Sequence, residues 1–125
     1  MKINNIAFVG IPVTDMKRAR EFYEGVLGLQ PDPEMTGEHW TEYSIGTGTL
    51  ALACVGDQWK PSNDGTSAAL EVDDLDAAIA RLEERNISYD KVDSPVCRMA
   101  IIEDPDRNKL IIHKLKHETK KGVCT

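Results

Sequence analysis

Apolar residues recur at every second position near the start of the chain. Val9, Ile11 and Val13 share one side of an extended backbone, and Ile6 and Phe8 the other, which predicts a strand over 3–13. Pro12 lacks an N–H and belongs where no partner strand needs a donor. The period then changes. Ala19, Phe22, Tyr23 and Val26 fall at i, i+3, i+4 and i+7, the apolar stripe of a helix over about 16–26. Thr14 or Asp15 can cap its first N–H groups, and Gly28 can end it in a left-handed conformation. Pro31, Pro33 and Gly37 predict an irregular connection over 30–37. Strands are predicted over 40–45 and 49–55, joined by a tight turn at Gly46-Thr47-Gly48. In the second of these, Leu50, Leu52 and Cys54 lie on one face, and Ala51, Ala53 and Val55 on the other.

The pattern then returns. Ala68, Leu70, Val72 and Asp74 stand 59 positions after Val9, Ile11, Val13 and Asp15, and a repeat at half the chain length means one structural unit used twice. The second copy predicts a strand over 67–72, a cap at Asp73 or Asp74, and a helix over 75–85 with Leu75, Ala78, Ile79 and Leu82 as its stripe. Asn86 is placed to cap the helix end. A short strand over 87–90, a clearer one over 96–103, a turn at Asp104-Pro105-Asp106-Arg107-Asn108 and a closing strand over 109–115 follow. The organisation is therefore a first module at 1–56, a linker at 57–66, a second module at 67–115 and a loose, Lys-rich tail at 116–125.

With 125 residues, the chain forms one domain, or two small modules sharing a core. Its formal charge of −6 argues against nucleic acid or an anionic membrane surface as partner. No run reaches the roughly 18 apolar residues of a membrane span, and the first residues lack the apolar core of a signal peptide. A cytoplasmic protein is expected. Cys54, Cys97 and Cys124 show no CxxC pairing, so neither a disulfide framework nor a thiolate zinc site is suggested. Cys54 and Cys97 read as buried thiols, and Cys124 as incidental near the end.

The repeated strand, Asp-capped helix and following strands, the helix end Phe22-Tyr23-Glu24-Gly25-Val26-Leu27-Gly28-Leu29, and the closing Asp104-Pro105-Asp106-Arg107-Asn108-Lys109-Leu110 resemble the vicinal oxygen chelate superfamily. That group includes glyoxalase I, bleomycin-resistance proteins, fosfomycin-resistance enzymes and extradiol dioxygenases. The resemblance covers about residues 5–115, and Arg107 stands where the family usually has Gly, which predicts a looser turn. It implies an α+β fold of two βαβββ modules, helices outside, whose mixed sheet curls round a ligand cup, often completed by a dimer partner. In metal-dependent members the ligands face this cup from the first and last strands of the modules. Here those positions align with Phe8, Ala51, Ser67 and Ile111, a set unable to hold a divalent cation. No metal or other cofactor is expected. The alignment depends on register: Leu50 and Leu52 match Leu110 and Ile112 under the helices, and Ala51 and Ala53 match Ile111 and His113 on the cup face.

The expected ligand-binding residues are thus Phe8, Ala51, Ser67, Glu71, Ile111 and His113. Glu71 and His113 are the polar pair among them. They form an acid–base couple, or His113 is simply a wall residue and Glu71 a partner for a cation. Trp40, Tyr43 and Trp59 either stack on a ligand or pack in the ordinary way. His39 and His117 are expected to face water, and Asp73-Asp74-Leu75-Asp76 suits a helix start better than a metal. These readings favour a protein of the bleomycin-resistance kind, homodimeric, holding a small aromatic or amphipathic molecule in an apolar cup. The alternatives are a metal-dependent or acid–base lyase, isomerase or dioxygenase of the same superfamily, or an assembly domain without a ligand.

Overall fold

A computed structural model describes residues 1–116; the expectations placed on His117, Cys124 and the rest of the tail lie outside the described residues. The chain separates into two units, the first running from Met1 to Ser62 and the second starting at Asn63.

In the first unit, β1 (Val9–Pro12) leads into α1 (Met16–Arg20), which passes directly into a π-helical stretch, Glu21–Val26. Three strands follow: β2 (Pro31–Thr36), β3 (Trp40–Ile45) and β4 (Gly48–Ala53). The sheet order is β1-β4-β3-β2, with β4 parallel to β1 and antiparallel to β3. A short 3-10 helix, Gly56–Gln58, closes the unit's described elements. The second unit repeats the plan with β5 (Ala68–Glu71), α2 (Leu75–Glu84), β6 (Asp90–Asp93), β7 (Cys97–Glu103) and β8 (Lys109–Leu115), in the order β5-β8-β7-β6. Each unit is a βαβββ module with a mixed four-stranded sheet.

The repeat extends to atomic detail at the helix starts. Asp15 and Asp74 adopt nearly the same extended backbone, and each carboxylate accepts the N–H three residues on, from Arg18 and from Ala77, at 3.0 Å. Both aspartates thus satisfy a first-turn donor that has no partner within its helix.

The predicted register holds. Val9 pairs with Leu50 and Ile11 with Leu52, while Ala68 pairs with Leu110 and Leu70 with Ile112. Leu50, Leu52, Leu110 and Ile112 are all buried, as are the helix residues Ala19, Phe22, Tyr23, Leu75, Ile79 and Leu82. Apolar burial of this kind, at about 25 cal/mol per Å², is the main stabilising term of each unit.

Four local readings are corrected. The helix expected over 16–26 is α-helical only to Arg20; the Leu27 N–H reaches back to the Phe22 carbonyl, five residues away. That wider turn carries Val26 out of the buried stripe. The connection expected over 30–37 is strand β2, whose register against β3 shifts between Pro31 and Thr36. Prolines are tolerated there because β2 is an edge strand. The short strand expected over 87–90 forms later, as β6. Cys97 is buried, but it is disulfide-bonded and not the free thiol expected; Cys54 is free.

The turn after β7 is not loosened by Arg107. Asp104 is buried, and its carboxylate accepts from the N–H groups of Asp106 and Asn108 and from the Asn108 side chain, at 2.8 to 3.0 Å. Arg107 takes a left-handed φ of 68° to fit this frame, where a side chain is disfavoured. Arg107→Gly is expected to raise stability by about 1 kcal/mol, read as a higher urea midpoint.

A polar clasp joins helix to sheet in the first unit. Arg20 forks onto Glu24 at 2.6 and 3.2 Å, and the Tyr43 hydroxyl donates to Glu24 at 2.9 Å. Tyr43 is fully buried and stacks on Tyr23. Burial pushes the Glu24 carboxyl up, but the hydrogen bonds from Arg20 and Tyr43 outweigh it and hold the group below its ordinary value of 4.5. Burial, then the Glu24 carboxylate, pushes the Tyr43 phenol well above its ordinary 10.0. The lowered carboxyl stabilises the fold above pH 4.5 and loses that contribution as pH falls through its folded value. The raised phenol stabilises it below pH 10.0 and loses that contribution as pH rises further. Tyr43→Phe should cost about 2 kcal/mol at neutral pH and flatten the alkaline limb of a stability–pH curve, measured by urea unfolding.

Candidate functional site

Helices cover one face of each sheet, and alternation assigns the side chains of the other. In the first unit the partners of Leu50 and Leu52 on β3 are Tyr43 and Thr41, both buried on the helix side. Gly10, Pro12, Trp40, Glu42, Ala51 and Ala53 therefore belong to the helix-free face. This face is floored by small residues: Gly10 pairs with Ala51, and Ala51 and Ala53 are fully buried.

Aromatic rings gather on this face. Phe8, just before β1, meets Trp40 of β3 edge to face, with centroids 5.1 Å apart and planes at 88°. Strand β4 lies between β1 and β3, so the two rings reach toward each other across the strand that carries Ala51 and Ala53. The Trp40 indole N–H donates to Glu42 at 2.8 Å, which fixes its orientation. Trp59, after the 3-10 helix, rests its ring edge on Gly10: a Cβ at Gly10 would lie 2.2 Å from Cη2 of that indole. Glycine is required there by close approach, not by its backbone angles.

Sequence reasoning placed Phe8 and Ala51 together but left Trp40 and Trp59 undecided. The alternation signal was sufficient for Trp40, which shares parity with Glu42 and faces away from Tyr43. Nothing local to residues 56–66 marked Trp59, because its contact with Gly10 spans about fifty positions.

The helix-free face of the second unit has different chemistry. Glu71 pairs with His113, Ala69 with Ile111, and Met99 and Ile101 of β7 with His113 and Ile111. Ile111, Met99 and Ile101 are half-buried, a continuous apolar surface around one polar pair. Nδ1 of His113 lies 2.5 Å from Oε1 of Glu71. The other Glu71 oxygen accepts the Leu115 N–H at 2.9 Å, beyond the last residue that β5 pairs. Burial pushes the Glu71 carboxyl up, but the Leu115 amide and the His113 ring outweigh it and hold it below its ordinary value. His113 keeps 17% of its side chain exposed, and Glu71 52%.

Ser67 precedes β5, and its hydroxyl donates to the Lys109 carbonyl at 2.8 Å. A cleft of about 460 Å³ opens elsewhere in this unit, between Asn86–Asp90 and the ends of β7 and β8, and none of the predicted site residues lines it. His39 is exposed, its Nδ1 3.1 Å from the Cys54 carbonyl. Asp74 caps α2, and Asp76 pairs with Arg98 of β7 at 2.9 Å, so the acidic run at 73–76 is accounted for by the helix start and one ion pair.

Two βαβββ modules with mixed sheets and helices on one face define the class of this protein. The family model for the glyoxalase/bleomycin resistance protein/dioxygenase superfamily matches residues 2–112, and the chain belongs to that superfamily. Among solved structures it is similar to TnmS3, an antibiotic binding protein from Streptomyces sp. CB03234, at 27% identity over 93% of this chain and 99% of that one, with a TM-score of 0.77. It is also similar to a glyoxalase/bleomycin resistance protein from the same organism, at 28% identity over 86% and 98% of the two chains, TM-score 0.70. Lactoylglutathione lyase from Agrobacterium tumefaciens shares the fold, at 18% identity over 98% and 100% of the chains, TM-score 0.74. No curated protein matches the chain.

The residues do not fit the metal of the metal-dependent relatives. Phenyl, methyl and sec-butyl groups at Phe8, Ala51 and Ile111 offer no donor atom, and the one neutral hydroxyl of Ser67, which donates to the Lys109 carbonyl, is a poor ligand by itself. Among the described residues, no three His, Cys, Asp or Glu side chains are grouped to hold an ion. Among them, too, no helix is long and apolar enough to cross a membrane.

Gly10→Ala tests the aromatic face directly. In a Trp40→Phe background Trp59 is the remaining indole, and the added methyl is expected to push it off the sheet. Its fluorescence should shift to longer wavelength; unchanged emission would show that the ring does not rest on Gly10.

Proposed function

We propose that this protein binds a small aromatic or amphipathic molecule on the helix-free faces of its sheets, without a metal. The observation that carries this reading is the gathering of Phe8, Trp40 and Trp59 on a face floored by Gly10, Ala51 and Ala53. Rings grouped over small residues offer flat apolar faces on which a planar ligand can stack, and each aromatic contact adds about 0.5–1.5 kcal/mol beyond the area it buries. Likeness to an antibiotic binding protein supports the same class of ligand. The residues assigned to binding are Phe8 and Ala51 in the first unit, and Ser67, Glu71, Ile111 and His113 in the second. As part of this reading the protein is a cytoplasmic homodimer, which light scattering of the purified chain tests.

A second reading, acid–base catalysis by Glu71 and His113, is favoured by their 2.5 Å contact. Turnover of a bound ligand that disappears in His113→Ala would support it.

A thermal-shift screen of planar aromatic antibiotics tests the main proposal. Binding to the native state should raise the unfolding midpoint, and Trp40→Ala should weaken the affinity of any hit about tenfold, or ~1.4 kcal/mol. A hit whose affinity is indifferent to both Phe8→Ala and Trp40→Ala would place the ligand elsewhere.

A further inference from the structure

The Glu71–His113 pair fixes more than an orientation. An ionised carboxylate can only accept hydrogen bonds. Glu71 is held in that form by the Leu115 amide and by His113 itself. The Nδ1 that lies 2.5 Å from Oε1 of Glu71 must therefore carry the proton. In the neutral ring the other nitrogen, Nε2, is then left with a lone pair. Among the described residues Nε2 has no hydrogen-bond partner. It sits on a half-buried apolar surface made by Ile111, Met99 and Ile101.

We propose that Nε2 of His113 is a hydrogen-bond acceptor that selects ligands carrying a hydroxyl group on an aromatic ring, with Glu71 as the positioning residue that sets its tautomer. The inference rests on the reading that the helix-free faces receive the ligand, and it adds the ligand's chemistry. A half-buried apolar surface with one acceptor discriminates strongly, because a ligand without a donor covers the nitrogen and leaves it unpaired. A phenol fills both requirements at once: its ring covers the aliphatic side chains and its O–H meets the lone pair. An aryl ether of the same shape meets only the first.

Two measurements on the full chain test this. The first is nitrogen-15 NMR of labelled histidine, with the His113 signals assigned by their loss in His113→Asn. Neutral His113 should show the Nδ1–H tautomer, and Glu71→Gln, whose amide can donate to Nδ1, should shift it toward Nε2–H. A wild-type ring in the Nε2–H form overturns the proposal whatever the ligand data show. The second is calorimetric titration with 2-naphthol and with its methyl ether, 2-methoxynaphthalene. The naphthol is expected to bind about tenfold tighter, the ratio should fall to near one in His113→Phe, and Met99→Ala, on the same face of the second unit, should weaken both probes alike. Equal wild-type affinities overturn the role of His113 and leave the binding reading standing. Failure of both probes to bind overturns the two together.

Discussion

In each unit the last strand in sequence occupies the middle of the sheet, parallel to the first strand and antiparallel to the third. Everything else depends on the alternation of side chains along these two central strands. Leu50 and Leu52, like Leu110 and Ile112, point under a helix, so their neighbours must point away. A slip of one residue would move four large aliphatic side chains off the helices and put alanines, an isoleucine and a histidine in their place. The burial of those four side chains thus decides which residues lie on the helix-free faces.

The two units keep the same frame and diverge in what they hang on it. Both cap their helix with an aspartate and tie helix to sheet through a helix carboxylate: Glu24, braced by Arg20 on the same helix, meets Tyr43 of β3 in one, and Asp76 meets Arg98 of β7 in the other. The first adds a buried tyrosine to its clasp and covers its helix-free face with aromatic rings. The second has aliphatic side chains on that face and one charged pair tied to the backbone at Leu115. Duplication supplies two equivalent surfaces, and substitution makes one suited to stacking and the other to a directed hydrogen bond. At the positions where the resemblance puts the superfamily's metal ligands, this chain carries three hydrocarbon side chains and one serine hydroxyl, a poor donor set for a cation.

The edges show where a unit tolerates irregularity. Two prolines and a register shift sit in β2 because one side of that strand needs no partner. The π-helical stretch ends at Val26 with Leu27 as its cap, and Gly28 follows with a φ of 74°, turning the chain toward β2. Arg107 accepts a left-handed backbone because the buried Asp104 carboxylate holds three hydrogen bonds that define the turn around it.

The linear sequence by itself determined the duplication, the order and type of nearly all the elements, the parity of the central strands and, to within one residue, where each helix is capped. These depend on residues a few positions apart, where a period of two or of 3.6 is written directly into the chain. It also determined that Phe8, Ala51, Ser67 and Ile111 offer no adequate donor set for a cation. Tertiary structure decided the rest. The widened turn after Arg20, the conversion of 30–37 into a strand, the seat of Trp59 on Gly10 and the disulfide at Cys97 depend on atoms brought together by folding. So does the tautomer of His113: it is set by a carboxylate 42 positions away, and a parallel pairing of strands leaves no local mark in the residues it joins.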